Sequence, residues 1–161
     1  STLSSSSAAS DVYKRQAVGC GWTSPQPYSR HDVAVIDMAP GISAARLEAM
    51  LTPRPEAVLL RAYGVGNVPS DEPGLTDVIA DVLHDGVPVV IASQCQQAEV
   101  LLGHYETGDA IARAGAIGSG DMTLEATYAK IMFLLSQGVT GADFGKWMHT
   151  SIAGEISPSS L

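Results

Sequence analysis

The chain has 161 residues, a usual length for one domain and enough to bury a hydrophobic core. Its 17 acidic and 9 basic residues give a formal net charge of −8, so we expect no nucleic-acid partner, because phosphates require a basic surface. No apolar stretch is long enough to cross a bilayer, so we expect no membrane partner.

The first sixteen residues differ in composition from the remainder. Residues 1–10 are almost all serine and alanine, with too little apolar bulk to offset the entropy cost of ordering, so we predict disorder. Residues 11–16 resemble the translation of a transposase adapter used in shotgun sequencing, and we interpret residues 1–16 as an assembly artefact. A natural disordered tail is the alternative. We assign residues 17–31 to a linker remnant and residues 32–161 to one domain.

The first half of this domain alternates strand and helix patterns. Residues 33–36 are apolar and predict a strand. Ser43 is a good N-cap for a helix that places three apolar residues on one face, Leu47, Met50 and Leu51. Residues 57–60 predict the second strand. An amphipathic helix follows, with apolar residues at i, i+3, i+4, i+7 and i+8, namely Leu75, Val78, Ile79, Val82 and Leu83.

The second half continues this alternation. Residues 87–92 predict a third strand that is buried on both faces, because they are apolar throughout. The remaining predictions are a short helix at 110–114, a fourth strand at 116–117 and helices at 122–137 and 142–149. On the longest helix the predicted apolar stripe comprises Leu124, Tyr128, Ile131 and Leu135. We therefore predict a small three-layer α/β domain, with a mainly four-stranded parallel sheet flanked by helices.

The segment after the second strand is the most informative one. Residues 60–67 read Leu-Arg-Ala-Tyr-Gly-Val-Gly-Asn, and ligands of open α/β sheets bind outside the carboxyl ends of the strands. Arg61 has two interpretations, a charged residue paired with an acidic neighbour or a fork for a ligand carboxylate. Asn67 has the donor and acceptor that amide recognition requires, although asparagine after glycine is also common in turns.

Motifs for other chemistries are incomplete. Gly64-Val65-Gly66 lacks the third glycine of a dinucleotide fingerprint and no P-loop lysine is present, so we expect no cofactor. The four histidines lack the spacing of metal-binding motifs, so we expect no metal. Ser93 and Cys95 follow the third strand, and either would need a base such as His104 to act as a nucleophile. The other interpretation is that small residues here let the chain turn.

Several motifs together resemble the C-terminal domain of the cytoplasmic (type I) L-asparaginases, in the asparaginase/glutaminase family. Residues 61–67 are similar to that family's Arg-Ser-Tyr-Gly-x-Gly-Asn turn, with Ala62 in place of the serine. The resemblance covers about residues 32–156. Its other matching segments are residues 40–42, 94–95, 103–108, 120–127 and 154–155.

This resemblance implies hydrolysis of L-asparagine to L-aspartate and ammonia through a threonine nucleophile. The family's reactive threonines and lysine lie in an N-terminal domain, whose Thr-Gly-Gly-Thr and His-Gly-Thr-Asp motifs do not occur in this sequence. We therefore predict an amidohydrolase fragment that has no catalytic residue of its own and is inactive alone. Its expected partners are L-asparagine, the N-terminal catalytic domain and further subunits, in a cytoplasmic homodimer or homotetramer.

The resemblance also assigns roles to individual residues. Active sites in this family form between one subunit's N-terminal domain and its partner's C-terminal domain, and the match assigns Asn67 and Tyr105 to the substrate side of that interface. Some bacterial type I enzymes also bind asparagine at an allosteric site, whose arginine and cysteine match Arg61 and Cys95. Ala62 removes a hydrogen-bonding side chain from that second site.

Two alternatives remain open. The first is a fragment of the asparaginase-like subunit of a tRNA-dependent amidotransferase, which shares the Asp-Met-Thr-x-Glu helix start but usually lacks the arginine-to-asparagine turn at residues 61–67. The second is a stand-alone amino-acid-binding module that uses only Arg61 and Cys95.

Overall fold

The computed structural model describes residues 19–63, 73–95, 100 and 111–157. One sheet contains four strands in the order of the chain, β1 (Val33–Asp37), β2 (Ala57–Ala62), β3 (Val89–Ser93) and β4 (Ile117–Gly118). All three neighbouring pairs of strands are parallel. The helices are α1 (Ala44–Met50), α2 (Leu75–His84), α3 (Leu124–Ser136) and α4 (Gly141–Met148), and residues 111–114 are also helical. The predicted α/β fold with a four-stranded parallel sheet is confirmed.

The sheet separates two apolar cores, because successive side chains of a strand point to opposite faces. On β2, Val58 and Leu60 belong to the core that α1 and α2 cover. Ala57 and Leu59 belong to the core that α3 and α4 cover. A strand packed on both faces must be apolar throughout, which explains the continuous apolar run in the sequence.

Helix α1 confirms its predicted cap but not all of its predicted buried face. The Ser43 side chain accepts a hydrogen bond from the Arg46 N–H at 3.2 Å. Leu47 and Leu51 are fully buried, whereas Met50 is 47% exposed, so the prediction that all three share one buried face is wrong. At 100° per residue Met50 lies well away from Leu51, and this two-turn helix contacts the core along a narrow stripe.

Helix α2 follows its predicted pattern closely. Leu75, Ile79 and Val82 are buried, and Val78 and Leu83 pack against the same core. The following strand begins at Val89, two residues later than predicted. The reason is that the Val87 N–H donates to the Val82 carbonyl at 3.2 Å and therefore belongs to the end of the helix.

Helix α3 follows its predicted stripe at three of four positions. Ile131 is buried and Leu124 and Leu135 pack against the same core, but Tyr128 is 39% exposed. The buried face also includes Thr127, Lys130 and Leu134. Two of these residues are polar, and their hydrogen bonds within the fold allow their burial. The Thr127 hydroxyl donates to the Thr123 carbonyl at 2.8 Å, and the Lys130 ammonium has several acceptors that are described below.

Residues 19–31, termed the leading segment, precede β1 and pack against α3 and α4. The Trp22 ring lies 5.1 Å from the Phe133 ring and 4.5 Å from the Trp147 ring, measured between centroids. The side chain of Gln137 bonds to the backbone of Gln26, where it accepts from the N–H at 2.7 Å and donates to the carbonyl at 3.2 Å. The segment predicted as a linker remnant thus lies on the α3 and α4 side of the domain.

Among the residues that the structure describes, no helix combines the length and apolar character needed to cross a bilayer.

Candidate functional site

The four parallel strands end at one edge of the sheet, which we term the carboxyl edge. It contains the last residues of each strand and the residues that follow them, 37–38, 61–63, 93–95 and 118–120. The sequence places polar residues at three of these strand ends, Asp37, Arg61 and Ser93. Because open α/β sheets bind ligands at this edge, it is the candidate functional site.

Arg61 is paired with an acidic residue of the neighbouring strand. Its Nη1 atom lies 2.9 Å and 3.1 Å from the two carboxylate oxygens of Asp37, its register partner on β1. The pair is accessible, with side-chain exposures of 31% for Arg61 and 61% for Asp37. The Arg61 Nε atom is buried and finds no hydrogen-bond partner within the described part of the chain. The guanidinium is therefore only partly used by its contact with Asp37.

Gln94 joins the ends of three strands. Its Nε2 atom donates to the Met38 carbonyl at 2.7 Å and to the Arg61 carbonyl at 2.8 Å. Its backbone N–H donates to the Ala62 carbonyl at 2.9 Å. The residue thus holds the backbone at the ends of β1 and β2, next to Asp37 and Arg61. The sequence matched Gln94 to a family motif, but its contacts across two strands could not be derived from its position.

Ser93 and Cys95 form a local turn at the end of β3. The Cys95 N–H donates to the Ser93 hydroxyl oxygen at 2.9 Å, as expected of a serine that stabilises a turn. Cys95 is exposed and forms no disulfide. It follows β3, which is adjacent to β2, so Arg61 and Cys95 lie at the same edge on neighbouring strands.

The structure does not place every residue that the sequence singled out. Asn67, Tyr105 and His104 lie outside the described residues. Tyr63 is described, and its buried hydroxyl has no hydrogen-bond partner among the residues with assigned positions. Tyr63 follows β2 directly and lies at the carboxyl edge.

A buried ion pair between Lys130 and Glu155 was not predicted. Burial lowers the pKa of Lys130, and its bond to Glu155 opposes that effect. Burial alone would raise the pKa of Glu155, but hydrogen bonds from Lys130 and from the Ile152 and Ala153 backbone lower it to about 2. The sequence did contain one signal for this pair. Lys130 lies next to Ile131 and four residues before Leu134, on an apolar helix face, and a charge that is buried there requires a partner.

Two open grooves beside α3 offer apolar surface rather than reactive groups. Their volumes are about 310 and 360 Å³, they share Tyr128, and Glu125 is the one charged residue among those lining them in the described part of the chain. Arg61, Gln94 and Cys95 line neither groove. In the same part of the chain, no group of three or more His, Cys, Asp or Glu side chains is placed to hold a metal ion.

Comparisons with known proteins agree on one family. The model of the Glutaminase/Asparaginase C-terminal domain family matches residues 32–148. L-asparaginase 1 of Escherichia coli (strain K12) is 38% identical over 132 residues, which cover 82% of this chain and 39% of that protein. The crystal structure of L-asparaginase I from Vibrio cholerae matches with a TM-score of 0.76 and 36% identity, over 82% of this chain and 40% of that one.

A second group of similar proteins is named for a different activity. A glutamyl-tRNA(Gln) amidotransferase subunit from Pyrococcus furiosus is 31% identical over 148 residues, which cover 92% of this chain and 33% of that protein. This chain thus spans between a third and two fifths of the length of these relatives.

Proposed function

Because the chain belongs to the glutaminase/asparaginase C-terminal domain family, we propose that it is the C-terminal domain of an L-asparaginase and acts with an N-terminal catalytic domain. The observation that carries the proposal is the family match over residues 32–148, together with 38% identity to an L-asparaginase of which the chain spans 39%. The reaction is hydrolysis of L-asparagine to L-aspartate and ammonia, in a cytoplasmic homo-oligomer.

In this proposal the chain contributes binding groups and no nucleophile. The Thr-Gly-Gly-Thr and His-Gly-Thr-Asp motifs that carry the reactive threonines in the resembling family are absent from its 161 residues. We therefore assign the bond-breaking steps to the N-terminal domain and expect the chain to be inactive alone.

Asn67 and Tyr105 are proposed to reach the substrate of a neighbouring subunit. The support for Asn67 is its position in the sequence, four residues after Tyr63, which lies at the carboxyl edge directly after β2. An amide side chain can donate to a substrate carboxylate and accept from a substrate amine. Tyr105 offers a hydroxyl for the same purpose.

Arg61 and Cys95 are proposed to form part of an allosteric asparagine site. Their placement on neighbouring strands at one edge supports the pairing. The buried Nε atom of Arg61 has no partner among the described residues, so a carboxylate that displaced Asp37 could also use this donor. Asp37 already holds Nη1 of the guanidinium, so an incoming carboxylate would have to compete with this contact. Ala62 supplies no hydroxyl to help it.

The role of Asn67 can be tested in a chimeric enzyme. Residues 19–161 are joined to the N-terminal domain of L-asparaginase 1 of Escherichia coli (strain K12), and ammonia release from L-asparagine is measured. We expect Asn67→Ala to lower kcat/KM roughly 10- to 100-fold, the effect of one lost hydrogen bond to a charged substrate group.

A matched control is Met50→Ala, on an exposed side chain of α1. This variant should keep kcat/KM within about twofold of the parent chimera. An Asn67→Ala chimera that is as active as the control would remove Asn67 from the substrate site.

The tRNA-dependent amidotransferase remains a second candidate because the relative from Pyrococcus furiosus aligns with 92% of this chain. Its identity is lower, at 31% against 38%. Sequencing the gene upstream of the Ala17 codon separates the two candidates. We expect an open frame with one threonine-bearing domain, whereas a further domain before it would indicate the amidotransferase.

A further inference from the structure

The buried pair of Lys130 and Glu155 has all of its polar atoms engaged. The Lys130 ammonium, with a side chain only 3% exposed, bonds to Glu155 and donates to the carbonyls of Met148 and Thr150 at 3.0 and 2.7 Å. The Glu155 carboxylate also accepts from the N–H groups of Ile152, at 3.0 and 3.1 Å, and Ala153, at 2.7 Å. One lysine on α3 thus organises residues 149–156, which we term the distal loop.

The distal loop in turn binds the leading segment. The Cys20 N–H donates to the Ser151 carbonyl at 2.8 Å, and the Gly21 N–H donates to the Ile152 carbonyl at 2.9 Å. The backbone at Gly19 approaches the loop so closely that a Cβ atom there would overlap the Ile152 carbonyl. Ile152 is therefore held from two sides, its N–H by Glu155 and its carbonyl by the leading segment.

We propose that the Lys130–Glu155 pair is a lock that positions the leading segment. With the pair intact, the carbonyls of Ser151 and Ile152 point towards residues 20 and 21, and Trp22 rests on the aromatic rings of α3 and α4. Removal of one charge leaves the other buried without its counter-ion, and the loop opens to hydrate it. The Cys20 and Gly21 N–H groups of the leading segment then lose their carbonyl acceptors. The sheet stays folded, because every group that bonds to Lys130 or Glu155 in the contacts above lies outside the strands.

The lock fixes the direction of the backbone at residue 19, where the described chain begins. It does not depend on the proposed asparaginase activity, because every contact that forms it lies within this chain. Its consequence for a longer protein is that α3 and the distal loop set the path of the segment before β1.

Amide hydrogen exchange on the whole chain tests the lock. In Glu155→Gln and in Lys130→Met we expect the amides of Cys20 and Gly21 to exchange at least about tenfold faster than in the parent chain, with no change for Val90 and Ile91 of β3. The matched control is Arg54→Met, which removes an ion pair with Glu48 and Asp85 on the opposite side of the sheet. It should leave the Cys20 and Gly21 amides unaffected.

A measurement on the unmodified chain covers the case in which both variants fail to fold. Under mild denaturant the amides of Cys20, Gly21, Ile152 and Ala153 should share one opening free energy, below that of Val90 and Ile91. Unchanged Cys20 and Gly21 exchange in the folded variants would overturn the lock. Equal acceleration of the Cys20 and Val90 amides would also overturn it, and so would separate opening free energies for the leading segment and the distal loop.

Discussion

Arg61 and Lys130 are cations in contrasting surroundings. Arg61 and its partner Asp37 are both accessible, so we expect their contact to contribute no more than about 1 kcal/mol to stability. Lys130 is 3% exposed and its partner Glu155 is 15% exposed, so loss of either charge leaves an uncompensated one inside the protein. The accessible arginine can exchange its partner for a ligand, whereas the buried lysine is confined to a structural role.

Calorimetry with L-asparagine tests Arg61 as a binding residue. We expect saturable heat with the intact chain that disappears in Arg61→Ala, because the guanidinium supplies the carboxylate fork. Asp37→Asn is the matched control, since it removes the competing carboxylate and leaves the arginine. It should bind at least as tightly as the parent chain. No heat from the intact chain, or equal heat from Arg61→Ala, would show that Arg61 does not bind asparagine here.

Among the helices, sequence periodicity was most accurate where the apolar spacing was long and regular. Helix α2 buries or packs against the core every residue that its pattern selected, because three turns of regular spacing define a face without ambiguity. On α3 the pattern selected Tyr128, but the helix buries Lys130, whose ammonium is satisfied by groups 18 to 25 residues further along the chain. Contacts at that separation leave no local periodic signal.

The caps of α3 and α4 give a matched pair for a stability test. The Thr123 hydroxyl accepts a hydrogen bond from the Ala126 N–H at 3.2 Å, whereas Thr140 begins α4 without a side-chain cap bond. We expect Thr123→Ala to lower the free energy of unfolding by about 1 kcal/mol and Thr140→Ala by only a few tenths, as measured by urea denaturation. Equal losses in the two variants would mean that the Thr123 bond contributes nothing specific.

For the molecule as a whole, alternating strand and helix patterns were enough to predict the sheet and its layers. The apolar runs predicted all four strands, and polar residues at the ends of β2 and β3 indicated the carboxyl edge. The side-chain bonds of Gln94 across that edge and the Lys130–Glu155 pair could not be predicted. Both depend on residues that only the completed fold brings together.

We propose that this chain supplies binding groups to an asparaginase and no bond-breaking chemistry of its own. The most direct test is ammonia release from L-asparagine by the purified chain, measured beside the chimera that carries an N-terminal catalytic domain. We predict no ammonia above the buffer rate from the chain alone and clear turnover by the chimera. Sustained ammonia release by the chain alone would contradict this division of roles, because it would require a nucleophile within these 161 residues.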